Sequence, residues 1–504
     1  MNNTQNQPNI IFIIADDLGY GDLSFFGNPF VNTPNLEKLG NEGIALMQHY
    51  SASPLCAPAR GALLTGRYSH RTGAVDVPSN RGLDRINLKE TTIADAMKQA
   101  GYATGMVGKW HNGVHDMQYH PNSRGFDRFV GFLNGGMDYW QWVLDENGQS
   151  KQADGRYLTD VFTQEAIDFI KSHQHYAFFL YLAYNAPHRP FQSPLDLFKK
   201  YYAMGFTKAV SHIYAMIERM DMGIGKILGL LERYQLKNNT IVVFTSDNGP
   251  YMGGRGENSA LRFNGSYSGQ KGDVLEGGIR VPAIVRWPGY SIFKRDMKMP
   301  YISPGTRTYK FFHFIDWFPT LLSLTDEPYS TKFPLDGRNK IEVLLNRKEF
   351  DDKIISFWQF NRYQPVYRCN AAVRQDRYKL YYPPIPEAMA KFPSDNQAYS
   401  YGLTHPHELK LVHFNFPQRQ LSQPQSPLLF DLESDSRESI NIAKNCPDIV
   451  DSMVRLYDDW FAEVTTEWQD AVQQNQQQGK LQETKIQIQK SYFLLKEIKQ
   501  ELNK

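Results

Sequence analysis

Residues 9–17 read NIIFIIADD: five large apolar side chains in a row, four of them isoleucines, stopping abruptly at two carboxylates. A run this short, apolar at every position and rich in β-branched residues, predicts a strand buried on both faces, as in a parallel sheet. TIVVFTSDNG (240–249) has the same form and ends in acid and amide. YAFFLYLAYNAPH (176–188) is a third strand candidate and ATGMVGKWH (103–111) a weaker fourth. Helical stretches lie between them. TTIADAMKQAG (91–101) offers a threonine cap, helical apolar spacing and a closing glycine, and HIYAMIERMDMGIGKILGLLERYQ (212–235) is a longer amphipathic run. Strands alternating with helices predict an α/β fold, a large mostly parallel or mixed sheet sandwiched by helices.

The texture changes near residue 345. IISFWQFNRYQPVYRCNAAVRQDRYKLYYPP (354–384) alternates and is aromatic-rich, which predicts antiparallel strands. LLFDLESDSRESINIAKN (428–445) reads as strand, turn and helix start, and VDSMVRLYDDWFAEVTTEW (450–468) as an amphipathic helix. Three parts are expected: a large domain over 1–345; a smaller α+β subdomain over 346–470, with a short antiparallel sheet that contributes to the pocket; and a Gln- and Lys-rich tail over 471–504, helical or a partly disordered extension.

The bulk numbers narrow the function. Lys+Arg 55 against Asp+Glu 53 leaves +2, so nothing in the charge calls for nucleic acid or an anionic membrane. Cys56, Cys369 and Cys446 are too few and too scattered for a disulfide framework or a zinc site, though one disulfide stays open. No apolar run is long enough for a transmembrane helix. The N-terminus MNNTQNQP is polar and is not a signal peptide. The chain is cytoplasmic if complete as given, and periplasmic or secreted if a leader was removed.

In open α/β sheets ligands bind outside the carboxyl ends of the strands. Asp16, Asp17, Lys109, His111, His188, Asp247 and Asn248 all fall where an apolar run stops. Three carboxylates and an amide oxygen form a hard, all-oxygen donor set suited to Ca²⁺ or Mg²⁺. Arg60, Lys109, His111, His188 and Lys271 are donors to oxyanions, with planar bidentate geometry from Arg and a point charge from Lys. A divalent ion with several cationic donors would neutralise a tetrahedral oxyanion such as sulfate or phosphate. Cys56 sits in SPLCAPARGALLTGR (53–67). A thiol is a poor partner for such an ion, so Cys56 reads as the precursor of something else.

These blocks resemble one family. C56-A-P-A-R60-G-A-L-L-T-G66 is similar to the signature of type I sulfatases of the alkaline phosphatase superfamily, in which the cysteine is oxidised to formylglycine. NIIFIIADDLGYGD (9–22), GKWHNG (108–113), NAPHRPF (185–191), TSDNGP (245–250) and GQKGDVLEGGIRVP (269–282) resemble its remaining blocks, in family order. The resemblance implies an alkaline-phosphatase-like fold and a sulfuric ester hydrolase. It implies one Ca²⁺, ahead of Mg²⁺, held by Asp16, Asp17, Asp247, Asn248 and the residue made from Cys56. It also implies that Arg60 and Lys109 brace that residue and the sulfate, that His111 orients or deprotonates a hydroxyl, and that His188 and Lys271 bind sulfate oxygens. Hydration of the aldehyde gives a geminal diol: one hydroxyl attacks sulfur, and the second lets the sulfated intermediate collapse. The partner so implied is a formylglycine-generating or radical sulfatase-maturating enzyme. Two departures stand out: Ala59 where the commonest motif has Ser, and Asn112 where the family has Leu.

For substrate, His115, Asp116, Arg81 and Trp140 near the first motifs and Arg374 in the smaller subdomain are the candidates. They suit a sulfated carbohydrate, a glycosaminoglycan or another glycan, cleaved one terminal sulfate at a time. The alternatives are a phosphonate monoester or phosphodiester hydrolase of the same superfamily, and a non-catalytic sulfated-glycan binder with Cys56 unmodified.

Overall fold

The computed structural model describes residues 7–114, 116–253, 258–287, 304–325, 329–345, 354–404 and 416–502, with side chains in the last helix described only to about residue 477. Its main sheet is built from β1 (Asn9–Ala15), β2 (Ile44–Tyr50), β3 (Ala103–Lys109), β4 (Arg128–Phe132), β5 (Val143–Glu146), β6 (Gln149–Gln152), β7 (Phe178–Ala183), β8 (Thr240–Ser246), β9 (Ala283–Arg286) and β10 (Thr306–His313). Their spatial order is β10-β2-β9-β8-β1-β7-β3-β4-β5-β6. β1 is central and runs parallel to both β7 and β8. β3 is parallel to β7 and β4, and β2 to β10. The sheet is mixed because β9 is antiparallel to β2 and β8, and β5 to β4 and β6.

The apolar run of β1 serves both faces. Ile10, Phe12 and Ile14 enter one core, with Leu63, Leu64, Met97 and Trp317. Ile11 and Ile13 enter the other, with Phe162 and Ile170 of the helix Leu158–Ser172 and Ile217 and Ile224 of the helix Lys208–Arg233. Each such side chain is stabilised by roughly 1.5–3 kcal/mol on leaving water, so a charge anywhere along β1 would break the sheet at its centre.

A second sheet, β11 (Ile355–Gln359), β12 (Ala371–Gln375), β13 (Tyr378–Tyr382) and β14 (Leu428–Asp431), is antiparallel throughout. It docks on the main body through Trp358, whose Nε1 donates to the Ser51 carbonyl at 2.7 Å. The C-terminal helix Pro447–Leu502 packs Tyr457 and Trp460 into the same core as Val373 and Leu380, and it runs unbroken through residue 470. A helix at Pro393–Thr404, between β13 and β14, has no counterpart in the sequence reading.

Candidate active site

Successive neighbours β8, β1, β7 and β3 are all parallel, so their carboxyl ends share one rim. Asp247–Asn248, Asp16–Asp17, the loop to His188, and Lys109 with His111 follow those four ends directly. Asp17 and His111 adopt φ of 63° and 57°, in the left-handed region, turning the chain sharply at the strand ends.

Cys56 opens the helix Cys56–Thr65, whose residues are all buried. Small side chains at Ala57, Ala59, Gly61 and Ala62 permit that burial, and Pro58 lies in the first turn, where its missing N–H costs nothing. The four-residue spacing puts Cys56 and Arg60 on one face. One carboxylate oxygen each from Asp16 and Asp247 and the Cys56 sulfur lie within 4.8 Å of one another, as do ligand atoms of Asp16, Asp17 and His188.

The acids are wired to the cations. Arg60 donates through Nε and Nη2 to Asp247 Oδ2, at 3.0 and 2.8 Å, and through Nη1 to the Lys109 carbonyl at 3.2 Å. Lys109 Nζ donates to Asp16 Oδ2 at 2.7 Å. Lys271 Nζ lies 2.6 Å from Asp17 Oδ1, and Asn248 Nδ2 donates to the same oxygen at 2.8 Å. His188 Nε2 is 3.7 Å from Asp17 Oδ2, while its Nδ1 meets the Arg189 carbonyl at 2.6 Å.

Burial, and then the neighbouring Asp16, push the Asp247 carboxyl up to about 6. Burial also raises Asp16 despite Lys109. At Asp17 burial acts the same way, but Lys271, His188 and Lys109 overcome it and hold the carboxyl below its usual range. Burial followed by Lys109 lowers His111 to about 3, and burial followed by Lys271 takes His188 well below its ordinary value. Both imidazoles are neutral near pH 7.

The donor set fits a hard divalent cation. Asp16 Oδ1 and Asn248 Oδ1 are buried with no hydrogen-bond donor, so two oxygens face the cluster unsatisfied. Three carboxylates crowded here repel one another unless positive charge intervenes. Oxygen ligands of this kind suit Ca²⁺ or Mg²⁺.

Above the cluster opens a pocket of about 130 Å³ lined by Asp17, Cys56, His111, His188 and Lys271. Its outer wall holds Arg189, Tyr251, Arg362, Lys391 and Tyr399, none of which the motifs singled out. Arg189 adjoins a motif histidine, a usable signal; Lys391 and Tyr399 come from a stretch without one. None of the described residues expected to bind substrate lines this pocket. Arg81 Nε donates to Asp395 Oδ1 at 2.8 Å. Asp116 caps the short helix Met117–Tyr119. Trp140 packs on Tyr157 with ring centroids 5.0 Å apart. Arg374 donates to Tyr50 Oη and Gln48 Oε1, at 2.7 and 2.6 Å, beside a different cavity of about 570 Å³. These side chains are engaged in their own local packing. His115 lies outside the described residues. Asn112 donates to the Ala57 and Asp84 carbonyls, at 3.0 and 3.2 Å, and so secures the start of the Cys56 helix.

A family model described as Sulfatase matches residues 8–327. The chain is 33% identical over 376 residues to N-acetylgalactosamine-6-sulfatase of Homo sapiens, covering 69% of this chain and 68% of that protein. It is 33% identical over 356 residues to Arylsulfatase J of Mus musculus, covering 67% of this chain but only 56% of that protein. Among solved structures, Ps i-CgsB in complex with k-i-k-neocarrahexaose superposes with a TM-score of 0.72 at 27% identity, over 90% of this chain and 92% of that one. With its mixed ten-stranded sheet, its small antiparallel sheet and these relatives, the chain belongs to the sulfatase family, the sulfuric ester hydrolases of alkaline-phosphatase-like fold.

Proposed function

We propose that this chain removes single sulfate groups from sulfated carbohydrates, with Cys56 carried as formylglycine and one Ca²⁺ held by Asp16, Asp17, Asp247 and Asn248. The observation that carries the reading is the meeting of a lone buried thiol with two carboxylates within 4.8 Å, at the base of a pocket walled by cations. A carbohydrate is favoured because a relative is named for N-acetylgalactosamine sulfate and a solved neighbour holds a neocarrahexaose.

At position 56 a formylglycine hydrate would supply a hydroxyl nucleophile toward sulfur and a second hydroxyl able to release the sulfate. A divalent cation supplies charge neutralisation and makes an adjacent hydroxyl more acidic. The side chains do the rest. Lys109 and Lys271 present ammonium groups to sulfate oxygens as negative charge develops. His111 is neutral, and its Nδ1 has no hydrogen-bond partner, so it can accept the proton of a nucleophilic hydroxyl. Arg60 holds Asp247 in place from beneath. Lys271, charged where His188 is neutral, would give the proton to the departing oxygen, and His188 would bind a sulfate oxygen.

Two measurements test this. Peptide mass spectrometry should find Cys56 lighter by about 18 Da, as thiol-to-aldehyde oxidation requires. Sulfate release should be seen on a panel of O-sulfated mono- and disaccharides. Turnover confined to aryl sulfates, or to phenyl phosphonate, would overturn the proposal.

A further inference from the structure

The pocket carries more positive charge than one sulfate ester needs. Lys109 and Lys271 already answer the scissile group, and each is matched by an aspartate, Asp16 and Asp17. Arg362 Nη1 is matched by Asp76 Oδ1 at 2.8 Å. Asp395 belongs to the neighbouring cavity, which shares Lys391 and Tyr399 with this pocket. It is taken up by Arg81 Nε at 2.8 Å, Asn80 Nδ2 at 3.1 Å and Tyr363 Oη at 2.7 Å. That leaves Arg189 and Lys391. Among the described residues neither has a carboxylate within ion-pair distance, and neither side chain makes a hydrogen bond.

Their placement is fixed by aromatic rings. The Arg189 guanidinium lies 5.3 Å from the Tyr251 centroid and 5.9 Å from that of Tyr399. Lys391 Nζ lies 5.8 Å from the same Tyr399 centroid. Tyr399 in turn comes close to the catalytic wall because residue 136 is glycine: a Cβ there would stand 2.9 Å from Tyr399 Oη and 3.4 Å from His188 Cε1. Among the described residues, two cations without an ion-pair partner thus lie by one ring in the lining of the pocket that holds Cys56. Burial, and then Arg362, depress the Lys391 ammonium to about 8, while Asp76 acts in the opposite sense.

Building on the carbohydrate sulfatase reading, we propose that Arg189 and Lys391 form a second anion position beside the scissile sulfate. The preferred substrate then carries another anionic group, a carboxylate or a second sulfate, next to the ester that is cleaved. An oxyanion between a guanidinium and an ammonium makes charge-assisted hydrogen bonds to both.

The test compares three matched disaccharides: one with a single sulfate and no other charge, one with an added uronate carboxylate, and one with an added sulfate. Initial rates are measured on the mature enzyme. In parallel, each sugar is titrated calorimetrically into Cys56→Ser protein, which reads binding without turnover. We expect at least one doubly anionic sugar to be preferred through KM, and to bind more tightly. Whichever of the two is favoured identifies the anion. Arg189→Met and Lys391→Met should each weaken that sugar about tenfold, the scale of a charge-assisted hydrogen bond, and leave the singly charged sugar unchanged. Arg189→Lys and Lys391→Arg should restore part of the preference and show that the fold is intact. Equal binding of all three sugars would overturn the proposal, as would a preference that survives in the double Met variant or an equal loss on every sugar. Failure of the underlying reading shows separately, as absence of sulfate release from all three.

Discussion

Asp247 is a carboxylate buried from all solvent, and Arg60 is what makes that tolerable. Arg60→Met should therefore cost about 3–5 kcal/mol, the usual penalty for leaving one member of a buried ion pair alone. Urea unfolding with EDTA present would measure it. Arg60→Lys should recover part of that loss but not the two-nitrogen contact with Asp247, and Lys109 would lose the donor to its carbonyl. Cys56→Ser should abolish turnover while changing stability by less than about 1 kcal/mol, because a small buried side chain is replaced by its near-isostere. Residue by residue, the acids and cations at the strand ends were legible, since each closes an apolar run or sits in a recognisable block. The pocket wall was not. Arg81, Trp140 and Arg374 drew attention by their chemical type and position along the chain, yet each is occupied by a local partner. Lys391 and Tyr399 reach the site through tertiary packing, which leaves no mark on nearby sequence.

Among the elements, the small antiparallel sheet steadies the loop that bears Lys271. Asn370, just before β12, donates to the Gly272 carbonyl at 2.8 Å and the Phe360 carbonyl at 2.9 Å, and accepts from the Val274 amide at 3.3 Å. Its φ of 43° suits asparagine better than alanine. Asn370→Ala should lower kcat/KM about tenfold by displacing Lys271, and destabilise by about 2 kcal/mol through lost hydrogen bonds. Asn370→Gly removes the same bonds without the backbone strain, so matching kinetic losses in the two variants would assign the effect to the amide. A substitution with no kinetic effect would mean that the loop holds itself. The central strands could be read directly because both faces are buried, and burial on both sides forces continuous apolar runs. β6 could not: its sequence QSKQ is almost wholly exposed and has neither alternation nor β-branched residues. The helix Pro393–Thr404 was hidden for a similar reason, since PSDNQAYSYGLT has no apolar face of helical period.

For the molecule as a whole, buried histidines make acid costly above the carboxylate range, against the raised Asp247, Asp221, Glu90 and Glu438, which gain stability as they bind protons there. Burial lowers His49 and His313 to about 3 and His70 to about 4. The unfolded chain binds these protons below its own pKa of about 6.5 while the native protein refuses them, so stability falls as pH drops from about 6.5 toward these values. By pH 5 each histidine should have cost about 2 kcal/mol. Melting temperatures measured from pH 7 to pH 5 should therefore shift in favour of His70→Gln relative to the parent as the pH falls. Calcium should act in the opposite sense: at a hundred times its dissociation constant it should add about 2.7 kcal/mol. Asp247→Asn should abolish that gain in melting temperature; an unchanged gain would move the ion elsewhere. The sheet order has a consequence for biogenesis. β1 leaves the ribosome first, yet its two neighbours, β7 and β8, begin at Phe178 and Thr240. At roughly 5–20 residues per second, the most hydrophobic segment of the protein waits on the order of ten to forty seconds for a pairing partner. During that interval it is a hazard for aggregation and a client for chaperones. The same delay leaves Cys56, only 2% exposed once folded, accessible until the later strands close the sheet around it.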